Sequence, residues 1–121
     1  GNMDGVDKTL ELMDTVNNGL IFTNLVDFDM KYGHRRDVAG YADAISEFDN
    51  WLSDFIPKMQ SDDLLVITAD HGCDPAYSGT DHTREQVPLL IYSKNIEPEN
   101  LGTIKGYNYI SKLILDNFSL R

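Results

Sequence analysis

An apolar, β-branched run, Leu64-Leu65-Val66-Ile67-Thr68, stops abruptly at Ala69-Asp70-His71-Gly72. A strand with no polar alternation needs cover on both faces, the situation of sheets sandwiched between helices. That requirement points to an α/β chain. Open α/β sheets place their sites beyond the carboxyl ends of their strands. Asp70 and His71 stand at such an end, and a second acid–imidazole pair, Asp81-His82, follows. Carboxylate oxygen and imidazole nitrogen together suit Mn, Fe or Zn.

Periodicity supplies the rest of the framework. Val6, Leu10, Met13 and Val16 recur at helical spacing until Asn18-Gly19. Residues 20–28 are apolar and β-rich and read as a buried strand. Residues 30–36 form a polar loop. Val38, Tyr41, Ala44, Ile45, Phe48, Leu52, Phe55 and Ile56 make a long helical stripe, with Asp37 as its cap and Pro57 at its close. Residues 64–68 and 87–92 read as two further strands, and residues 69–87 as a long loop. Loops of that length inside a compact domain usually carry function. Residues 107–118 read as a final helix, with Ile110, Leu113, Ile114 and Phe118 inward. The strand–helix–strand order predicts a right-handed parallel βαβ unit. Three strands make a thin sheet, so the chain is expected to be part of a larger one.

With 121 residues the chain is one domain or part of one. The net charge of −10 argues against a nucleic-acid partner, because no basic stripe faces a phosphate backbone. A phosphate substrate is compatible only if bound cations reverse the local field. Cys73 is the single cysteine, which excludes an internal disulfide and fits a reducing, cytoplasmic setting. No apolar stretch reaches the roughly 20 residues of a membrane span, and the opening residues carry no leader pattern.

All three histidines stand near strand-end acids. Asp29 and His34 follow the first strand; Asp70, His71 and His82 follow the second. In a parallel unit both strand ends share one rim, so the two groups are expected to meet. So many oxygen and nitrogen ligands exceed one tetrahedral ion and suit a two-metal site. Asp27 is either a further ligand or a group that orients one. Asp81 is a ligand or a turn residue, and Asp74 before Pro75 reads as a turn. Arg84 offers a planar fork for phosphate, or a surface pair with Glu85. Lys31, Arg35 and Arg36 could raise the potential near His34 or simply be solvated. Cys73 reads as a small filler. Thr68, Ser78, Thr80 and Thr83 carry hydroxyls, and none is assigned as a nucleophile.

The stretches Asn24-Leu25-Val26-Asp27-Phe28-Asp29-Met30-Lys31-Tyr32-Gly33-His34-Arg35-Arg36-Asp37 and Ile67-Thr68-Ala69-Asp70-His71-Gly72-Cys73-Asp74-Pro75 carry a resemblance, which Gly79-Thr80-Asp81-His82-Thr83-Arg84-Glu85 completes. The chain resembles the metal-binding core of the alkaline phosphatase superfamily and, within it, the phosphopentomutase family. The resemblance implies a partial three-layer α/β core, with a mainly parallel sheet flanked by helices. It implies Mn²⁺ as cofactor, two ions in the whole enzyme. Asp29, His34 and His82 would serve one ion; Asp70 and His71 would be part of the set for the other. It implies pentose phosphate as substrate, a sugar bisphosphate as activator, and exchange of phosphate between C1 and C5 of ribose or 2-deoxyribose. The nucleophilic Thr and a cap domain of that family have no counterpart in residues 1–121. The chain is therefore expected to be the carboxy-terminal portion of the core, inactive alone and able to dimerise through open sheet edges. A phosphoglycerate mutase, a phosphatase of the same superfamily, and a catalytically silent metal-binding module stand as alternatives.

Overall fold

The computed structural model describes residues 1–119. Helix α1 spans Asn2–Thr15 and helix α2 spans Val38–Phe55. Strands β1 (Leu65–Thr68) and β2 (Leu89–Tyr92) follow, then helix α3 (Asn108–Asn117). A single π-turn, Phe28–Gly33, stands before α2, and a short 3-10 turn, Ile56–Lys58, follows it. Helix and sheet mix as an α/β chain requires.

Helix α2 begins where its sequence says it should. The Asp37 carboxylate accepts the Gly40 amide at 2.9 Å, a side-chain cap on the third helical position. The helix gives way at Pro57, whose missing amide cannot continue the ladder. Its inner stripe stacks Phe48 on Trp51 and Trp51 on Phe55, with centroids 5.6 and 4.5 Å apart. Tyr41 meets Phe28 at 5.5 Å and ties the π-turn to the helix.

The sheet departs from expectation. Among the described residues it has two strands, and they run antiparallel, with Leu65 opposite Tyr92 and Thr68 opposite Leu89. The connection from β1 to β2 is a long hairpin, closed at its base by the Gly72–Thr83 bridge. A hairpin dictates antiparallel pairing, whereas a parallel pair needs a crossover. The expected strand at 20–28 does not form, so no parallel unit arises within the described residues. Only part of it is covered: Ile21, Leu25 and Asp27 are half-buried, while Leu20, Phe22, Thr23, Asn24 and Val26 are exposed. Thr23 meets Thr9 of α1 through a 2.6 Å hydroxyl contact. One side of the segment thus lies on α1 and the other is bare. A strand is defined by its ladder, and among the described residues this segment has no neighbour to pair with.

The core is correspondingly thin. Val6, Ala44, Phe55 and Met59 are its buried apolar residues. The inner side of α3, with Ile110, Leu113, Ile114 and Phe118, is only half-buried. An apolar groove of about 440 Å³ opens between the end of α2 and the sheet, lined by Leu52, Ile56, Leu65 and Ile91 among others. Among the described residues no helix is long and apolar enough to cross a membrane.

Candidate metal centre

The π-turn sets the first half of the site. Its closing bond runs from the His34 amide to the Asp29 carbonyl, 2.9 Å across five residues. On an α-helix, positions five apart would point about 140° from each other. A π-turn accommodates the extra residue and brings them to one side; such single turns recur at functional sites. Asp29 and His34 therefore project together, with His34 Nε2 3.2 Å from Asp29 Oδ1.

Beyond β1 the chain supplies the second half. His71 Nε2 lies 3.8 Å and His82 Nε2 3.4 Å from the same Asp29 oxygen. The His71 and His82 rings stack at 3.5 Å, and His82 Nε2 is 3.2 Å from His34 Nε2. One ligand atom each from Asp29, His71 and His82 falls within 4.8 Å of the other two. Two segments remote in sequence thus converge on one carboxylate oxygen.

The chemistry of this donor set fits a cation. Asp29 Oδ1 is buried and accepts no hydrogen bond. A buried acceptor left unmet costs about 1–3 kcal/mol, and more when charged. His34 Nδ1 sits 2.6 Å from the Thr80 carbonyl, and His71 Nδ1 sits 3.0 Å from the Gly72 carbonyl. A carbonyl only accepts, so both Nδ1 atoms carry protons. In the neutral rings the Nε2 lone pairs face the anionic oxygen, an arrangement that calls for a positive charge between them.

The remaining expected residues divide clearly. Asp70 stands on the rim, its side chain 91% exposed and its Oδ1 3.6 Å from His71 Nε2. The cluster centres on Asp29, whose Oδ1 lies within 3.8 Å of an Nε2 atom of each of the three imidazoles. Arg84 is exposed, two residues beyond His82 in the loop that leads to β2. Asp27 turns away from the cluster: it accepts the Asn2 amide at 2.8 Å and starts α1. Asp74 makes the expected turn, accepting the Ala76 amide at 2.8 Å. Cys73 packs where a Cβ on Gly33 would stand, 2.5 Å from its sulfur. Burial pushes the Cys73 thiol up, and the nearby Asp29 carboxylate adds to the shift. A cleft of about 160 Å³ adjoins the cluster, lined by Tyr41, His71, Cys73 and Glu85 among others.

Two supports have roles that were not legible in local patterns. Tyr107, at the start of α3, donates its hydroxyl to the Asp70 carbonyl at 2.7 Å. Thr83 accepts the Asp74 amide at 2.7 Å and donates to Glu85, so its hydroxyl is occupied with loop structure. Thr83 had a local signal, its place beside Asp81-His82, whereas Tyr107 lies 37 residues from Asp70 and had none.

Comparison with known proteins agrees with this chemistry. The chain is 55% identical to the phosphopentomutase of Acetivibrio thermocellus over 114 residues, 93% of this chain and 29% of that protein. It is 53% identical to the phosphopentomutase of Caldanaerobacter subterraneus subsp. tengcongensis over 120 residues, 98% of the chain and 30% of the relative. The phosphopentomutase of Kosmotoga olearia is 55% identical over 121 residues, 98% of the chain and 31% of the relative. The chain thus spans about three-tenths of the length of these relatives. The family model described as "Metalloenzyme superfamily" matches residues 1–121. With a half-buried carboxylate among three imidazoles and a match from end to end, this chain belongs to the metalloenzyme superfamily.

Proposed function

We propose that this chain supplies the cation-binding part of a phosphopentomutase that interconverts the 1- and 5-phosphates of ribose or 2-deoxyribose. The observation that carries the reading is Asp29 Oδ1, buried without a hydrogen bond beside the Nε2 atoms of His34, His71 and His82. The named relatives, at 53–55% identity, support the choice of reaction. Asp29, His34, His71 and His82 would hold a divalent cation, for which Mn²⁺ suits the mixed oxygen and nitrogen donors, and Asp70 would join from the rim. Bound divalent ions neutralise charge on phosphoryl oxygens and orient the groups that exchange.

This chain's own residues bind and orient. The Thr80 and Gly72 carbonyls hold protons on Nδ1 and keep the Nε2 lone pairs of His34 and His71 turned inward. Arg84, planar and exposed, is the candidate phosphate contact. The phosphoryl-accepting threonine is read as lying outside residues 1–121. We place the protein in the cytoplasm, and we read residues 1–121 as the carboxy-terminal portion of a core domain that is inactive alone.

The test is an assay of the longer protein that contains this segment. With Mn²⁺ it is expected to convert ribose 5-phosphate and to leave 3-phosphoglycerate unchanged, while residues 1–121 alone turn over neither. Conversion of 3-phosphoglycerate in preference to the pentose phosphate would overturn the assignment.

A further inference from the structure

Arg36 is half-buried and adopts a left-handed backbone, φ 55°. That conformation costs a residue with a side chain about 1–2 kcal/mol. It closes the turn that follows the π-turn, with the Arg36 amide donating to the Gly33 carbonyl at 3.1 Å. From there the guanidinium reaches the loop that joins β1 to β2. Nη1 donates to the Asp74 carbonyl at 2.5 Å, Nη2 to the Asp81 carbonyl at 2.6 Å, and Nε to the Gly79 carbonyl. Three carbonyls of one loop thus converge on one planar cation. Without it their negative ends would face each other. The same loop carries His82 and presents the Thr80 carbonyl to His34 Nδ1.

We propose that Arg36 is a positioning residue for the cation centre: by clamping residues 74–81 it places His82 beside Asp29 and keeps the His34 proton on Nδ1. The inference rests on reading this cluster as a cation site. Only a fork of donors spans three carbonyls. A lysine ammonium is a point charge on a flexible stem and does not reproduce it.

The test compares wild type with Arg36→Ala, Arg36→Lys and Arg35→Ala. Arg35 is the exposed neighbour and serves as the control. Three readouts are taken: metal-free amide exchange at Tyr77 and Thr83, the ¹⁵N signature of the His34 tautomer, and Mn²⁺ affinity. In Arg36→Ala and Arg36→Lys, exchange at Tyr77 and Thr83 is expected to rise about tenfold or more. His34 is expected to lose its fixed Nδ1–H form, and Mn²⁺ affinity to fall about tenfold or more. Millimolar methylguanidinium is expected to recover part of the loss in Arg36→Ala. Arg35→Ala should match wild type throughout. Exchange and tautomer unchanged in Arg36→Ala, or full recovery by Arg36→Lys, would overturn the clamp. A wild type that binds no Mn²⁺ refutes the cation reading instead, and the two metal-free readouts still decide the clamp. If Arg36→Ala does not fold, Arg36→Lys with the same readouts decides between the two outcomes.

Discussion

At Gly72 the surrounding backbone dictates the residue type. A Cβ there would stand 2.8 Å from Glu85 N, Glu85 O and Thr83 O. All three are main-chain atoms, so no side chain can swing aside. Overpacking of this kind costs about 1–3 kcal/mol. Gly72→Ala is expected to lose about 2–3 kcal/mol in urea unfolding, at the upper end of that range. Ser78→Ala, on the exposed loop, should stay within about 0.5 kcal/mol of wild type. An unchanged midpoint for Gly72→Ala would contradict the close approach of the two chain segments. At this scale the sequence disclosed the members of the cluster, because acids and imidazoles at strand ends have few other uses in a dense group. It named Arg36 and Asp27 but did not disclose their roles. Period-two alternation put Asp27 on the same side as Asp29, but the π-turn begins at Phe28 and breaks that alternation. Asp27 is left facing α1, where it accepts the Asn2 amide. The three carbonyl partners of Arg36 lie 38 to 45 residues away, beyond any local pattern.

Among elements, helices were the more legible. A helix closes its hydrogen bonds within itself, so its stripe, cap and stop are all local. Asp37, the apolar stripe from Val38 and Pro57 fixed α2 closely, and α1 and α3 fell within a few residues of their expected bounds. A strand borrows its partner from elsewhere. Residues 65–68 and 89–92 found one another, but in the antiparallel sense, because the hairpin base at Gly72 and Thr83 turns the chain back. Residues 20–28 found no partner in the described chain. Even so, the expected consequence of the parallel unit was met by another route. The π-turn carries Asp29 and His34 to the rim beyond β1, where Asp29 Oδ1 stands within 3.8 Å of His34, His71 and His82 Nε2.

For the molecule as a whole, surface area is the telling quantity. A compact monomer of 13.7 kDa exposes about 6,600 Å². This chain exposes 8959 Å². The difference is on the scale of an obligate interface, about 2,000 Å² or more. It falls partly on apolar groups: Phe22 is 86% exposed and Leu20 61%. Both sheet edges are open as well, and such edges template association. The isolated chain is therefore expected to self-associate as its concentration rises, as read by sedimentation velocity. Its charge of −10 opposes that association, so added salt should strengthen it by screening. A monomer at every concentration and salt level would contradict this reading of the bare faces.

In the proposed site two distant segments share one cation through Asp29. Titration calorimetry of Mn²⁺ into the isolated chain tests it most directly. Wild type is expected to bind one Mn²⁺ well and a second poorly. Asp29→Asn, and His34→Ala combined with His82→Ala, are each expected to lower the affinity of the first ion by about tenfold or more. No binding by wild type, or the same affinity in these variants, would contradict a cation held in common.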